Sequence, residues 1–160
     1  MKIALARIDD RLIHGQVVTV WSKVTKCNRI IVCNDDIAKD DLRKTILTQV
    51  APPGVKAHVV SIDKAARVLK NPKYENDIAI LLFTCPKDVL RLVEAGTDIK
   101  SVNIGGMSFK SGKTQITGAI SVNQEDIDAF KALYDKNIEL EIRVVASDKK
   151  SYIMPLLENL

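Results

Sequence analysis

Two hydrophobic periods take turns along the chain. Residues 2 to 8, Lys-Ile-Ala-Leu-Ala-Arg-Ile, suit a buried strand, whereas Val17, Val18, Val20, Trp21 and Val24 recur at helical spacing and predict a helix beginning near Gly15. Residues 28 to 33 form a short β-rich run, and Asn34-Asp35-Asp36 reads as a capped helix start. That helix would carry Ile37, Leu42, Ile46, Leu47 and Val50 and stop before Pro52-Pro53-Gly54. Residues 56 to 60 read as the third strand, and 61 to 70 as a helix capped by Ser61 and ended by Asn71-Pro72. Residues 77 to 84 contain Ile-Ala-Ile-Leu-Leu-Phe, a run so apolar that a central parallel strand is the natural assignment.

The second half keeps the alternation. Pro86 suits a helix N-terminus through its preset φ and missing N–H, and Gly96 would stop that helix after Ala95. Residues 101 to 104 form a strand leading into Gly105-Gly106, and 114 to 122 resume with β-type residues. Residues 126 to 136 place Ile127, Phe130, Leu133 and Tyr134 on one helical stripe, ended at Asn137. Residues 139 to 145 alternate as a last strand, and 147 to 160 would hold a short helix broken near Pro155. Repeated β-α-β units demand right-handed crossovers and helices on both faces of a sheet. The expectation is an α/β chain in one domain over 1–160, doubly wound, with a mostly parallel sheet of six or seven strands. The loops near residues 9 to 14, 34 to 36, 84 to 86 and 103 to 112 would then share one edge of that sheet, where open α/β folds bind ligands.

Composition narrows the class. With 160 residues, 46% of them apolar and 28% charged, the chain matches a soluble globular protein. It can bury about 70% of its unfolded surface without staples. No apolar run approaches the roughly 20 residues of a membrane helix, and the apolar start is too short for a secretory signal, so a cytoplasmic location is expected. Cys27, Cys33 and Cys85 are odd in number and lack a Cys-x-x-Cys spacing, as expected of buried thiols in a reducing compartment. Two histidines make no metal-ligand cluster, and no cofactor motif is present. A net charge of +4 with 4% aromatics does not indicate nucleic acid.

Two stretches imitate known motifs. Residues 106 to 114, Gly-Met-Ser-Phe-Lys-Ser-Gly-Lys-Thr, resemble a phosphate-binding P-loop. Five residues separate the glycines where that loop needs four, and the residues after Thr114 are patterned as strand rather than helix. A hairpin-like loop with solvated Lys110 and Lys113 is the plainer reading. No Gly-x-Gly-x-x-Gly comes after the first strand, and no Gly-x-Ser-x-Gly elbow exists for a serine hydrolase. His58, inside a β-rich run, reads as a packed or edge histidine.

The chemistry gathers at residues 7 to 17, Arg-Ile-Asp-Asp-Arg-Leu-Ile-His-Gly-Gln-Val. His14 falls at the strand-to-helix turn, where a helix beginning near Gly15 would aim its free N–H groups and positive dipole end at the loop. Imidazole is a nucleophile that can be phosphorylated and titrates near neutrality. Arg11 offers a planar fork of donors to phosphate oxygens, and Asp9 or Asp10 could hold that fork or orient the ring. Arg7, at the strand end, would support the site. A solvated turn with a capping or packed histidine, a hydrolase or lyase using His14 as base, and a non-catalytic binding module remain open on these residues alone.

The segment from Arg7 to Val17 closely resembles the active-site segment of the IIB component of the mannose/fructose/sorbose family of the bacterial sugar phosphotransferase system. The resemblance extends through Arg-Ile-Ile-Val-Cys-Asn-Asp-Asp at 29 to 36, Ala-Pro-Pro-Gly at 51 to 54, Leu-Phe-Thr at 82 to 84, Asn-Ile-Gly-Gly-Met at 103 to 107, and Gly112-Lys113. It implies the same doubly wound fold. It also implies that His14 accepts a phosphoryl group on Nδ1 from a phosphohistidine of the IIA component. His14 would pass that group to a hexose entering through the membrane components IIC and IID. Arg11 and the backbone amides around Ile13, Gly15 and Gln16 would stabilise the phosphoryl oxygens, and Asp9 would organise the loop. No metal or cofactor is implied. The chain would work in the cytoplasm, peripherally associated with the transport complex, with homo-oligomerisation left open. Some members carry IIA in the same chain, whereas this sequence begins directly at the first strand, so the donor is expected on a separate protein unless the chain is a fragment. Residues 103 to 107 would form an opposing wall or a structural turn. An apolar ring of Leu12, Ile13 and Met107 would serve partner docking, unless those three are buried.

Overall fold

A computed structural model of the chain describes residues 1–15 and 17–160, the side chain of Val18 excepted. In chain order the elements are β1 (Lys2–Asp9), a π-helical turn (Val17–Trp21) running into α1 (Ser22–Thr25), β2 (Arg29–Cys33), α2 (Asp35–Ala38) and α3 (Asp41–Gln49). Then come β3 (Lys56–Val60), α4 (Ile62–Lys70), β4 (Ile78–Phe83), α5 (Pro86–Glu94), β5 (Ser101–Gly106), β6 (Thr114–Gln115) and β7 (Ser121–Val122). The chain closes with α6 (Gln124–Asp135), β8 (Glu139–Ile142), β9 (Ser151–Tyr152) and α7 (Met154–Leu157).

Seven strands form one sheet in the order β3-β2-β4-β1-β5-β8-β9, and β6 pairs with β7 apart from it. All pairings in the main sheet are parallel except β8 with β9. β1 lies in the middle, Arg7 opposite Leu82 of β4 on one side and Asn103 of β5 on the other. A doubly wound, mostly parallel sheet of six or seven strands is what the alternating pattern foretold, although the seventh strand is β9, in the tail, rather than residues 114 to 122. Connections leaving β1 and β2 run one way along the sheet, and those leaving β3, β4 and β5 the other, which puts helices on both faces.

Alternate strand residues feed two cores. Ala6 and Ile8 of β1, Leu81 and Phe83 of β4, and Val102 and Ile104 of β5 pack under α4 to α7 through Ala65, Val89, Leu92, Phe130, Leu133 and Leu157. On the opposite face Ile30, Val32, Ile80 and Leu82 pack against Leu12, Ile13, Val17, Trp21 and Ile37. That second cluster stops at β1. Over β5 and β8 the same face carries Ser101, Asn103, Glu139 and Glu141 and opens into a polar cleft of about 550 Å³.

Local signals explain the element ends. The side chains of Ser61 and Asn123 cap α4 and α6, Asn123 within a reciprocal capping box with Asp126. Gly96 takes φ 101° after α5, a conformation a side chain would resist. Four expectations need correction. The long helix expected over 34 to 50 is two helices, because Asp40 makes a second N-cap, its side chain accepting from Arg43 N–H. Leu42 and Ile46 on α3 and Val50 at its C-cap are exposed, as is Val24 on α1. Tyr134 also faces solvent rather than completing the α6 stripe. Pro155 opens α7 instead of breaking it, and the expected strand at 114 to 122 is only the β6–β7 hairpin.

Candidate functional site

The site starts where β1 ends. The backbone turns back on itself, Leu12 N–H donating to Asp9 O at 2.9 Å, and Leu12 takes φ 61°. A left-handed leucine costs about 1–3 kcal/mol. The Leu12 side chain, 1% exposed within the second core, holds the residue there. The tight turn brings Asp9, Arg11 and His14 together.

Asp9 is the hub. Its buried carboxylate accepts from Arg7 Nη2 at 3.0 Å, from Arg11 N, Nε and Nη2 at 3.1, 3.2 and 3.2 Å, and lies 2.9 Å from His14 Nε2. Burial alone would push this carboxyl up. Hydrogen bonds from Arg11 and His14 and the charge of Arg7 outweigh it, holding Asp9 below the ordinary carboxylate range. Asp9 is therefore an anion at neutral pH and can only accept. A neutral His14 must then carry its proton on Nε2, which leaves the Nδ1 lone pair free. The His14 side chain is 19% exposed, so the ring is held from inside and reachable from outside.

Behind Asp9 lies a second layer of charge. Arg7 is fully buried, donating to Asn103 Oδ1 at 2.6 Å and to the Arg143 and Val144 carbonyls at 3.0 and 2.9 Å, with its guanidinium over the Trp21 ring. Burial pulls this cation down from its ordinary value, and Asp9 opposes the shift. The guanidinium lies against bare backbone: a Cβ added at Gly105 would fall 2.0 Å from Arg7 Nη2. Asn103 Nδ2 donates to Glu141 Oε1 at 3.1 Å, and Glu141, 1% exposed, grips Arg143 through Nε at 3.0 Å and Nη2 at 2.8 Å.

Asp10 faces away from the histidine. Its carboxylate accepts from Ser108 N at 2.7 Å and Oγ at 2.9 Å, tethering the loop after β5 to the loop after β1. Of the two acidic candidates for holding Arg11 and orienting the ring, Asp9 does both and Asp10 neither. The expected shared edge is present, since Asp10, Asn34, Thr84, Cys85 and Lys110 line one cleft of about 440 Å³.

Of the remaining predicted residues, Ile13 and Gly15 flank His14 in the chain, and the Gly15 carbonyl accepts from Thr19 Oγ1 at 2.6 Å. Gln16 lies outside the described residues. The expected apolar ring does not exist: Leu12, Ile13 and Met107 are all buried, and among the described residues the exposed apolar side chain near the loop is Phe109. Lys113 is not solvated but paired with Asp126 at 3.2 Å. His58 sits on edge strand β3, its Nε2 2.8 Å from Arg29 Nη1. Cys27 and Cys33 are buried and Cys85 partly so. Among the described residues no group of His, Cys, Asp and Glu could hold a metal ion, and no helix is long and apolar enough to cross a membrane. Glu141 and Arg143 carry no sequence signal of their own, because their alternation in 139 to 145 reads as the wet face of a strand.

The family described as the PTS system sorbose subfamily IIB component matches residues 3–160. The PTS system mannose-specific EIIAB component of Escherichia coli is 58% identical over 160 residues, all of this chain and 50% of that protein, so the chain spans about half the length of that relative. The PTS system sorbose-specific EIIB component of Klebsiella pneumoniae is 53% identical, covering 96% of this chain and 94% of its own. The crystal structure of the IIB domain of the sorbose permease from Klebsiella pneumoniae superposes with a TM-score of 0.96 at 51% identity, covering 99% of this chain and 98% of that one.

Proposed function

The chain belongs to the sorbose subfamily of the IIB components of the sugar phosphotransferase system, and on that premise we propose that it is a phosphocarrier whose His14 takes a phosphoryl group from a phosphohistidine of a IIA protein or domain and delivers it to a hexose. The observation that carries this reading is the 2.9 Å contact between His14 Nε2 and the buried Asp9 carboxylate. It pins the proton on the inner nitrogen and aims the nucleophilic one outward.

In the first step the Nδ1 lone pair attacks phosphorus, and the P–N bond to the donor ring breaks, its electron pair staying on the donor nitrogen. The proton on His14 Nε2 stays with the Asp9 hydrogen bond throughout. In the second step a sugar hydroxyl oxygen attacks phosphorus, the bond to Nδ1 breaks with its electrons returning to the ring, and the hydroxyl proton leaves to solvent or a base on the partner. Such chemistry asks mainly for positioning and charge stabilisation. Arg11, 54% exposed on its side chain, is the cation that can turn its Nη1 donors onto the phosphoryl oxygens while Asp9 keeps hold of Nε and Nη2. The amides of Ile13 and Gly15 complete the cradle, and residues 1–160 act as one IIB unit.

The carrier would alternate between IIA and membrane components of the IIC and IID type at the cytoplasmic face of the membrane. Mannose, sorbose and fructose appear in the names of its relatives, so a hexose is the acceptor class. Incubation with phosphorylated IIA tests the reading. The chain should gain one acid-labile, base-stable phosphate, and His14→Ala should gain none. Phosphate retained by His14→Ala would defeat the assignment.

A further inference from the structure

We propose that Asn103 and Glu141 are positioning residues of the transfer reaction, which select the ring nitrogen of His14 that takes the phosphoryl group. The inference rests on the phosphocarrier reading and concerns two residues of β5 and β8, strands that lie on the far side of β1 from most of the second core. The connection is a chain of hydrogen bonds with a fixed polarity. Ionised Glu141 can only accept. Its Oε1 therefore requires the NH₂ of Asn103, at 3.1 Å, and this turns the Asn103 carbonyl oxygen toward Arg7 Nη1, at 2.6 Å.

Arg7 in turn presents Nη2 to Asp9 Oδ2 at 3.0 Å, the same oxygen that meets His14 Nε2 at 2.9 Å. Without a clamp behind it, the Asp9 carboxylate would follow the Arg11 fork, which already pairs with it at two points, Nε on Oδ1 and Nη2 on Oδ2. Arg11 is half exposed, so its pull on the carboxylate is outward. His14 would then lose its inner partner, and the ring could protonate on Nδ1 and react at Nε2. The clamp works because Arg7 cannot slide sideways: the Arg143 and Val144 carbonyls also hold Nη1 and Nη2, and the Trp21 ring covers the guanidinium.

The arrangement is a costly one for stability alone. Three buried charged groups, Arg7, Asp9 and Glu141, are gathered with Asn103 on one face of the sheet, beside the apolar second core. Buried ion pairs of this kind are seldom more stabilising than apolar side chains of like volume. What the charges add is direction: an acceptor-only group at one end dictates the orientation of every group up to the histidine.

The test uses Glu141→Gln, which keeps the shape but can donate, so that Asn103 is free to flip and turn its NH₂ toward Arg7. The proton position of unphosphorylated His14 is read by ¹⁵N NMR. The phosphorylated nitrogen is read after incubation with phosphorylated IIA. Wild-type protein should hold the proton on Nε2 and the phosphate on Nδ1. The variant should show a growing Nδ1–H population, phosphate appearing on Nε2, and delivery to sugar slowed on the order of 10- to 100-fold. Glu141→Asp, which restores an acceptor-only group, should recover the wild-type spectrum. Glu139→Gln, in the same open cleft, should change nothing. Should Glu141→Gln not fold, Asn103→Ser, which withdraws the acceptor from Arg7, is read in the same way. Phosphate confined to Nδ1 with unchanged proton position and rate in a folded variant overturns the inference and leaves the phosphocarrier reading intact. Absence of phosphate on wild-type His14 overturns both.

Discussion

Gly105→Ala is a small change that should strike the whole charge cluster. A Cβ there would stand 2.0 Å from Arg7 Nη2 and 2.1 Å from Cζ, and real Cβ atoms essentially never approach closer than 3.0 Å. The guanidinium must retreat by about 1 Å, yet Asn103, Arg143, Val144 and Asp9 hold it on all sides. Separating Arg7 from Asp9 leaves a buried charge without its partner, a loss of about 3–5 kcal/mol. For a chain of this size that lowers Tm by ~10 °C. The same displacement passes through Asp9 to His14, and a misplacement near 1 Å costs on the order of 100-fold in rate. Thermal melting followed by circular dichroism, with single-turnover phosphorylation by phosphorylated IIA, measures both. Gly118→Ala is the control: it borders the same loop with no atom within 4 Å of the added carbon, and both readouts should stay at the parental values. A Gly105→Ala protein with parental Tm and rate would refute the claim that β5 is left bare to seat Arg7.

Arg11→Lys should separate function from stability. The pair with Asp9 is half exposed, so its loss changes stability by ~1 kcal/mol or less, whereas a lysine cannot reproduce the fork and transfer should slow on the order of 100-fold. Acid stability depends on Asp9. Its folded pKa lies below the unfolded value, so the stability it contributes is complete above about pH 4 and is lost as pH falls through the folded value. Urea midpoints measured across that range should fall steeply on acidification, and Asp9→Asn should flatten that limb. Burial pushes the Cys27, Cys33 and Cys85 thiols up. A thiol reagent at neutral pH should therefore label the native chain slowly and all three cysteines once it is unfolded. Fast labelling of native Cys33 would contradict its place in β2.

What the sequence reveals is local. The apolar runs of β1 and β4, the Ser61 cap, Pro86 and Gly96 each act through neighbours within a few residues, and each is found where the pattern puts it. The break between α2 and α3 is also written locally, in Asp40 as a second cap, but an apolar stripe running through it outweighs the signal. That stripe, Leu42, Ile46 and Val50, is exposed because α3 packs chiefly beside edge strand β3 rather than over the middle of the sheet.

The loop of the site is legible for the same reason: Asp9, Arg11 and His14 lie within six residues and face one another through a single turn. Its support is not. Arg7 meets Asn103 across 96 residues and the Arg143 carbonyl across 136. Glu141 looks like any outward-facing acid of an alternating strand until the sheet order places β8 beside β5. Even the buried state of Leu12 and Ile13 depends on which side of the sheet the loop folds over, a choice set by the crossover and not by the loop.

The central claim is that Asp9 holds His14 by Nε2 so that Nδ1 carries the phosphoryl group. The direct measurement is ³¹P and ¹⁵N NMR of the ¹⁵N-histidine-labelled chain after phosphorylation by IIA. One phosphorus resonance coupled to Nδ1 of His14, with Nε2 still protonated and hydrogen-bonded, is the predicted result. Phosphorus bonded to Nε2, or to any residue other than His14, would contradict it.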